Sequence, residues 1–318
     1  MNSIADIPVL YFPFSRPQYA RKTFEAIKKA KPKKFYFYCD KAREAFEEEK
    51  KNNDVIREYI KEVNWDCELK TWFRDKNIGA YQSILDAIDW FFENEEMGII
   101  LEEDCLASLA FFDFCRQLLS MYKDDYRVWY IGGNNLIEKY YLGKYDYYFT
   151  PFAYQWGWAT WRSRWMKIQR NGFDISEIKN YGLYNQLYAN KKAAKKACNW
   201  LTRQTKTTIF KTLSWDYMFN ISMRCNGGFG ICPKINLSAN IGIVGLNNAE
   251  YNKRYHNLYI PLDQQYYSIV NHPPFVVSDY NYNKAFFKHI LLKKESSLIT
   301  KIIKKIRTFV KINKNNNK

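Results

Sequence analysis

The stretch IILEEDCLA, residues 99–107, ends an apolar run with three adjacent carboxylates, Glu102, Glu103 and Asp104, before small and apolar residues resume. Adjacent like charges repel each other, so the run is either the solvated end of a strand or a site built around a cation. Taken alone, a short acidic run is more often a solvated strand end. Its position in the fold decides between the two interpretations.

Length and composition indicate a folded α/β protein. The chain has 318 residues, 47% of them hydrophobic, which suits one large domain or about two smaller ones. No apolar stretch approaches the roughly 18 residues of a membrane span, and residues 1–15 lack the basic start and long apolar core of a secretory signal. Seven cysteines without C-x-x-C spacing favour reduced thiols over disulfides or a zinc site. We therefore expect a cytoplasmic protein.

Positive charge is concentrated at the C-terminal end. A net charge of +16 suits nucleic acid, an anionic membrane or a phosphorylated substrate. Residues 284–318 hold eleven Lys and Arg against one Glu, about +10 of that total. SSLITKIIKKIRTFVKI places apolar residues at helical spacing opposite a basic face, which predicts a helix lying on an anionic membrane or, alternatively, docked on the domain. No nucleic-acid recognition motif is present, so we expect no nucleic-acid partner.

Strand and helix patterns alternate through the first half of the chain. IPVLYF, KKFYFYCD, WDCELKTWFRD and MGIILEEDC read as strands, separated by helical patterns over residues 19–30, 41–62 and 80–94. This alternation predicts a mainly parallel sheet flanked by helices, with its ligand site beyond the carboxyl ends of the strands. The residues that follow these strand ends include Arg16, Asp40, Asn77 and Asp104.

The acidic stretch resembles a known family. GIILEEDCLASLAFFDF is similar to the aspartate-x-aspartate region of nucleotide-sugar-dependent glycosyltransferases with a GT-A fold. The similarity extends to the LEDD pattern of the Golgi N-acetylglucosaminyltransferase that begins complex N-glycans, and of its bacterial relatives. The resemblance implies that Asp104 holds Mn²⁺ or Mg²⁺ at the sugar diphosphate and that Glu103, an Asp in the family, contacts the ribose. It leaves Glu102 as a structural neighbour.

Further stretches extend the resemblance over about residues 7–245. PFSRPQYARKTFEAI is similar to the family's first loop, whose backbone and arginine meet the nucleotide, and RDKNIGAYQSILDAI is similar to the segment before the acidic motif. These stretches imply donor-binding roles for Ser15, Arg16, Asn77 and Gly79. To them we add Asp40, because it follows a strand end at the same edge.

A tryptophan-rich stretch lies in residues 139–165, which otherwise read as irregular and aromatic. FAYQWGWATWRSRW resembles the bacterial S.WGWATW..RW pattern. Trp156, Trp158 and Trp161 offer flat faces for an acceptor or sugar, and Gly157 lets the backbone pass close to a ligand. Any single one of these tryptophans is more simply explained as a core residue.

Two further residues take roles from the resemblance. LSWDYMFNIS resembles the segment in which, in inverting members, an aspartate removes the proton of the acceptor hydroxyl, which makes Asp216 the candidate catalytic base. The alternative is an aspartate that only stabilises a helix N-terminus, and a retaining mechanism then stays open. SANIGIVG, followed by AEYNKRYH, is similar to a family segment whose histidine lies near the metal, so His256 is a second candidate ligand.

We therefore expect a metal-dependent, inverting glycosyltransferase that moves a sugar from a nucleotide sugar to a hydroxyl of a surface glycan or lipid-linked acceptor at the inner face of the cell membrane. Residues 1–283 form the GT-A domain, with a nucleotide-sugar-binding half (1–135) and an acceptor-side half (136–283), and residues 284–318 form a basic amphipathic tail. The alternatives are a nucleotidyltransferase, which usually opens with a glycine-rich loop absent here, a non-catalytic basic protein that binds membrane or nucleic acid, and a degenerate transferase that binds without catalysis.

Overall fold

A mixed β-sheet with helices on both faces forms the centre of the protein. The computed structural model describes residues 3–152, 154–188, 190–204, 215–242 and 266–292. The strands in these ranges are β1 (Val9–Phe12), β2 (Lys34–Cys39), β3 (Glu68–Phe73), β4 (Met97–Glu102), β5 (Cys105–Ala107), β6 (Val128–Gly132), β7 (Tyr147–Thr150), β8 (Trp158–Trp161), β9 (Phe229–Pro233) and β10 (Ser238–Asn240).

The helices connect and cover these strands. They are α1 (Pro17–Ala30), α2 (Glu47–Arg57), α3 (Ala80–Asn94), α4 (Leu109–Met121), α5 (Arg162–Trp165), α6 (Ile175–Asn180), α7 (Leu183–Leu187), α8 (Lys191–Gln204), α9 (Trp215–Cys225) and α10 (Tyr280–Phe286). Short 3₁₀ turns lie at Ile4–Asp6, Glu58–Glu62 and Glu138–Tyr140, and a π-helical turn at Phe287–Leu291 follows α10. No described helix is both long enough and apolar enough to span a bilayer.

Eight strands form the main sheet in the order β3-β2-β1-β4-β8-β6-β9-β7. Strands β1 to β4 are parallel, and β6 and β9 are parallel to each other. β8 lies antiparallel between β4 and β6, and β7 is antiparallel to β9. The prediction of a mainly parallel sheet flanked by helices is confirmed.

The aromatic region of residues 139–165 was wrongly predicted to be irregular, since it contains β7 and β8. Both strands are buried on both faces, so their sequences lack the polar and apolar alternation that marks a half-exposed strand. β8 pairs Trp158 with Ile100 of β4 and with Gly132 of β6. This insertion brings the tryptophan-rich stretch beside the acidic strand end.

The sheet packs against two apolar clusters, one on each face. Tyr11 and Leu101 belong to the cluster that contains residues of α1 and α4, whereas Ile100 and Trp158 belong to the cluster that contains residues of α3 and α9. Side chains two residues apart on a strand point to the same face. Glu102, at the end of β4, therefore follows Ile100 toward the α9 face.

The strand order reverses around β1, because β2 and β4 lie on opposite sides of it. In such sheets the crevice beyond the carboxyl ends of the strands at the reversal is the usual ligand site. Phe12 of β1 pairs with Glu102 of β4 at this edge. A separate ribbon of β5 and β10 pairs Asn240 with Cys105 and so covers the acidic stretch.

The C-terminal part of the described chain packs on the β7 side. α10 and the following π-helical turn run across the expected domain boundary at residues 283 and 284, and Phe286, Phe287 and Ile290 are buried in a third apolar cluster with Phe152. The basic amphipathic pattern at 296–318 and His256 lie outside the described residues.

Candidate functional site

Glu103 anchors the loop between β1 and α1. One of its carboxylate oxygens, Oε2, accepts hydrogen bonds from the backbone N–H groups of Phe14, Ser15 and Arg16 at 3.0, 3.0 and 3.2 Å. The other oxygen, Oε1, accepts from Nε of Arg16. Thr23 of α1 donates to the Glu103 carbonyl at 3.0 Å. The carboxylate predicted to meet a ribose is thus engaged by the loop itself, and Ser15 contributes its amide to that contact.

Arg16 joins this anchor to Asp104. Its Nη2 donates to Oδ2 of Asp104 at 2.6 Å, and Nδ2 of Asn240 donates to Oδ1 of the same carboxylate at 3.1 Å. Burial raises the pKa of Asp104, and the guanidinium of Arg16 opposes that rise. Burial also disfavours the charged guanidinium, yet the Glu103 and Asp104 carboxylates raise the pKa of Arg16 overall. We call Arg16, Glu103, Asp104 and Asn240 the Arg16 cluster.

The chemistry of Asp104 suits a hard divalent cation. Mg²⁺ takes oxygen ligands and is usually held by one or two carboxylates together with substrate phosphates and water. Within the described ranges, no three His, Cys, Asp or Glu side chains converge as a complete protein site. Gly242 lies so close that a Cβ there would stand 2.1 Å from Asp104 Oδ2 and 2.6 Å from Arg16 Nη1. Any side chain at residue 242 would fill the space beside Asp104, and one buried carboxylate bordered by that space fits an ion that is completed by a ligand's phosphates.

The ends of β2 and β3 bring three predicted donor-binding residues together. Asp40 Oδ2 accepts from Asn77 Nδ2 and from the N–H of Ile78, both at 3.3 Å. Gly79, with φ +81°, is the N-cap of α3. Burial raises the pKa of Asp40, and hydrogen bonds from the backbone N–H groups of Lys41 and Ile78 partly offset this rise. Asp40 and Asn77 are therefore in contact where β2 and β3 end, and Gly79 begins the next helix; their donor-binding roles stay predictions.

Glu102 is influenced by the charges of both the Arg16 cluster and Asp216. Burial, followed by the charges of Asp104, Asp216 and Glu103, raises the pKa of Glu102 well above its ordinary range, and Arg16 only partly offsets this. Asp216 lies in the first turn of α9. The sequence predicts this position at a helix N-terminus. The three adjacent acids thus divide between two faces, because β4 ends at Glu102 and the chain turns before Glu103.

The tryptophan-rich stretch also divides between the site edge and the core. Trp156 is half-buried and packs against Tyr154 with ring centroids 5.5 Å apart. Gly157 has φ +79°, and a Cβ there would lie 2.9 Å from Ser238, so only glycine fits this close passage. Trp158 begins β8 at the site edge. The structure does not bring Trp161 there, because it pairs with Met97 at the other end of β4 and donates its N–H to the Leu119 carbonyl.

Sequence reasoning missed two residues at this edge, Gln155 and Asn220. Asn220 Nδ2 donates to the Asp216 carbonyl at 2.7 Å and approaches Gln155 Oε1 at 3.4 Å. Asn220 lies one helical turn after Asp216, and this four-residue spacing was a signal the sequence offered. Gln155 lies beside Trp156 in the aromatic stretch and gave no separate signal. We call Gln155, Trp158, Asp216 and Asn220 the α9 cluster.

Several buried polar atoms at this edge have no hydrogen-bond partner in the structure. Nε2 of Gln155, Nε1 of Trp158 and Oδ1 of Asn220 belong to the α9 cluster, and Oδ1 of Asn53 and Nε of Arg57 lie on α2 near Asp40. Buried polar groups in folded proteins are nearly always paired with protein, water or ligand. The unpaired buried atoms of the described residues therefore lie near the carboxyl edge of the sheet, where its topology predicts a ligand.

The comparisons with known proteins identify no family. No protein-family model matches the chain, and no curated protein matches it. Among solved structures it is similar to the mannosyltransferase PcManGT from Pyrobaculum calidifontis in complex with GDP-Man and Mn²⁺, with a TM-score of 0.36, 12% identity, and coverage of 53% of this chain and 49% of that chain. The present chain thus spans about half the length of that enzyme.

Two other solved structures show similarity of the same order. HddC from Yersinia pseudotuberculosis complexed with GMP-PN has a TM-score of 0.32 and 8% identity, over 50% of this chain and 78% of that chain. A UDP-glucose pyrophosphorylase complexed with UDP-glucose has a TM-score of 0.30 and 12% identity, over 52% of this chain and 80% of that chain. Similarity at these levels does not establish a shared activity.

Proposed function

We propose that the protein is a metal-dependent glycosyltransferase of the GT-A type that moves a sugar from a nucleotide sugar to an acceptor hydroxyl, with inversion. The observation that carries this proposal is the contact between Asp104 and Arg16 at the carboxyl end of β4. Asp216, in the first turn of α9, lies close enough for its charge to act on Glu102 at the same strand end. Asp104, Arg16 and Asp216 would supply a metal ligand, a cation and a carboxylate base, which are the groups that sugar transfer from a diphosphate needs.

The donor half of the proposed site consists of the Arg16 cluster together with Asp40, Asn77 and Gly79. Asp104 would hold the divalent cation, which neutralises the charge of the leaving diphosphate when bound. Arg16 would add its guanidinium to the diphosphate, and Glu103 keeps the β1–α1 loop in place through its amides. Asp40, Asn77 and Gly79 would shape the nucleoside pocket. His256 stays a prediction as a second metal ligand.

The acceptor half is centred on Asp216. The acceptor oxygen attacks the anomeric carbon as the bond from that carbon to the diphosphate breaks, and the carboxylate of Asp216 takes the hydroxyl proton. The diphosphate leaves with the bonding electron pair, so no covalent enzyme intermediate is needed. Trp158 stacks on Trp215, the residue before Asp216, and with the preceding Trp156 and Gly157 it would border the sugar. A single attack of this kind inverts the configuration.

The geometry of the first loop favours a transferase over a nucleotidyltransferase. A loop that cradles phosphates presents open backbone N–H groups. Here the amides of Phe14, Ser15 and Arg16 are taken by Glu103. The nucleotidyltransferase remains the second candidate, and the two activities differ in their products. A non-catalytic binding protein is the third.

We further propose that the acceptor is a surface glycan or a lipid-linked sugar and that the basic segment 284–318 holds the enzyme at the anionic inner face of the membrane. The charge pattern of that segment supports this proposal. Deletion of residues 296–318 should abolish flotation with vesicles that contain anionic phosphatidylglycerol and leave binding to neutral phosphatidylcholine vesicles unchanged. Equal flotation of both proteins would contradict the assignment.

The reaction products test the proposed function. The protein is incubated with Mn²⁺ and UDP-, GDP- or CDP-sugars, and release of nucleoside diphosphate is measured, while parallel reactions with nucleoside triphosphates and sugar 1-phosphates are assayed for pyrophosphate. We expect nucleoside diphosphate release that falls at least about 100-fold in Asp104→Asn, whereas Asp124→Asn, a substitution of an exposed carboxylate, retains it. Pyrophosphate release, or full turnover in Asp104→Asn, would overturn the proposal.

A further inference from the structure

Gln155, Trp158 and Asn220 present unpartnered polar atoms in a buried place. Gln155 is 4% exposed, Trp158 is fully buried, and Asn220 is 8% exposed. Nε2 of Gln155 and Nε1 of Trp158 are donors, and Oδ1 of Asn220 is an acceptor. None of the three atoms has a hydrogen-bond partner within the part of the chain that the structure describes. Leaving a buried polar group unpaired costs about 1–3 kcal/mol, so a folded chain rarely carries such atoms without ordered water or a ligand to pair them.

Rigid neighbours fix these atoms beside the proposed catalytic edge. The ring of Trp158 stacks on Trp215 with centroids 5.6 Å apart and meets the edge of Phe219 at 5.1 Å. The amide of Asn220 is held by the Asp216 carbonyl and by Gln155. The open donors and the open acceptor are therefore held in place rather than free to find partners by rotation.

The chemistry of the set indicates what binds there. Two neutral donors and one neutral acceptor beside large aromatic faces suit hydroxyl groups, which both accept and donate, on a ring with apolar C–H faces. They do not suit a phosphate, because the open acceptor, Oδ1 of Asn220, would face phosphate oxygens that are themselves acceptors. Trp158 pairs with Ile100, two residues before Glu102 and four before Asp104, so the place adjoins the proposed diphosphate position.

We propose that Gln155, Trp158 and Asn220 recognise hydroxyl groups of the sugar ring attached to the nucleotide diphosphate, and so determine which donor sugar the enzyme accepts. This inference rests on the proposed function, because it assumes that a nucleotide sugar binds at the carboxyl edge. Gln155 and Asn220 act as specificity-determining residues and take no part in bond breaking.

Isosteric apolar substitutions test this assignment. Gln155→Met removes the unpaired donor Nε2. A second variant, Asn220→Leu, removes the unpaired acceptor Oδ1. Gln117→Met is the matched control, because Gln117 Nε2 is paired with Asp113 Oδ2 at 3.0 Å and with the Tyr267 carbonyl at 2.8 Å. Calorimetry with Mn²⁺ compares UDP-glucose, UDP-N-acetylglucosamine and GDP-mannose with UDP and GDP. Melting of each ligand-free protein is measured in parallel.

We expect Gln155→Met to weaken binding of the preferred nucleotide sugar about tenfold and to leave binding of the nucleoside diphosphate within about twofold. Its ligand-free melting temperature stays close to that of the wild type, because removal of the unpaired donor offsets loss of the 3.4 Å hydrogen bond that Asn220 Nδ2 donates to Gln155 Oε1. Gln117→Met melts lower and binds both ligands normally. A residue with a merely structural role would lower the melting temperature and leave the ratio of the two affinities unchanged.

The outcomes separate this inference from the proposed function. If the wild type binds nucleoside diphosphates and Gln155→Met and Asn220→Leu bind the nucleotide sugar as tightly as it does, the sugar-ring assignment is overturned while the proposed function stands. If both variants bind the donor normally but transfer more slowly to a glycan acceptor, Gln155 and Asn220 bind a sugar ring of the acceptor. The donor assignment is then overturned. If the wild type binds no nucleotide, the proposed function itself fails.

Discussion

The Arg16 cluster and the α9 cluster lie at the same edge of the sheet but are stabilised in different ways. In the Arg16 cluster, each carboxylate oxygen of Glu103 and Asp104 accepts a hydrogen bond from another residue of the chain. In the α9 cluster, three buried polar atoms have no partner within the described ranges. Folding gives each carboxylate oxygen of the first cluster one partner and leaves its second lone pair for a cation, whereas the second cluster has whole polar atoms left for a ligand. We therefore expect loss of the Glu103 carboxylate to act mainly on stability and substitutions in the α9 cluster to act mainly on ligand binding.

Loss of the Glu103 carboxylate should have the largest effect on stability. Glu103→Ala removes the acceptor of three backbone N–H groups and leaves Arg16 beside a single carboxylate. We expect the free energy of unfolding in urea to fall by about 3 kcal/mol, since hydrogen bonds to a charged group contribute more than neutral ones.

The control for this variant is Glu62→Ala, which breaks an ion pair with Arg21 in which both side chains are 39% exposed. Exposed pairs contribute little, so this change should cost less than about 1 kcal/mol. If Glu103→Ala and Glu62→Ala lowered the free energy of unfolding equally, the contacts of Glu103 with the β1–α1 loop would not stabilise the fold. The contrast between the two clusters would then be lost.

Two tryptophans provide a smaller and closely matched comparison. Trp161 and Trp158 are both buried, but Trp161 Nε1 donates to the Leu119 carbonyl at 3.1 Å, whereas Trp158 Nε1 has no partner in the described structure. Each is replaced by Phe, which leaves a similar void. Trp161→Phe should lower the free energy of unfolding by about 1 kcal/mol more than Trp158→Phe, which is the contribution of one hydrogen bond.

Binding should show the reverse order for the same pair. Trp158→Phe is expected to weaken nucleotide-sugar binding, and Trp161→Phe to leave it unchanged, because Trp161 lies at the opposite end of β8. Calorimetry on both variants measures this difference. If Trp161→Phe alone weakened binding, the sugar would lie at the end of β8 opposite to Trp158, which would contradict the assignment.

The smallest expected effect is the pH dependence of Glu102. Burial and the neighbouring carboxylates raise the pKa of Glu102 in the folded protein, so the folded state holds this proton more tightly than the unfolded state does. Stability is therefore lost as the pH rises and the buried carboxyl ionises. Glu102→Gln should gain stability over the wild type at pH 8 and gain less at pH 5, in urea unfolding with EDTA present.

Glu48→Gln, at an exposed position, is the control and should change stability little at either pH. A wild type more stable than Glu102→Gln at pH 8 would mean that a cationic partner of the Glu102 carboxylate outweighs its burial and its carboxylate neighbours.

Sequence alone predicted the sheet's parallel half and the residues at its edge. The apolar runs of β1, β2 and β4 are long enough to recognise, and α3 has the predicted bounds of residues 80–94. β7 and β8 were missed, because strands buried on both faces carry no alternation. Their placement beside β4 and β9 depends on contacts between distant parts of the chain.

The sequence led to several residues that are in contact at this edge of the sheet, and their functional roles stay predictions. The acidic stretch contacts Arg16, and Asp40 contacts Asn77. Sequence cannot tell which way three adjacent acids turn, so it did not show that Glu103 anchors the loop between β1 and α1. Gln155 gave no signal of its own, and Asn220 gave only its spacing from Asp216, until the structure revealed their unpaired polar atoms.

The central claim is that Asp104 binds a nucleotide through a divalent cation, and its most direct test is melting with nucleoside diphosphate and Mn²⁺ together. At ligand concentrations about 100-fold above Kd, the wild type should melt roughly 5 °C higher with both than with either alone. Asp104→Asn should stay folded and lose the Mn²⁺-dependent part of that shift. An undiminished Mn²⁺-dependent shift in Asp104→Asn would contradict the assignment of the acidic stretch as the metal site.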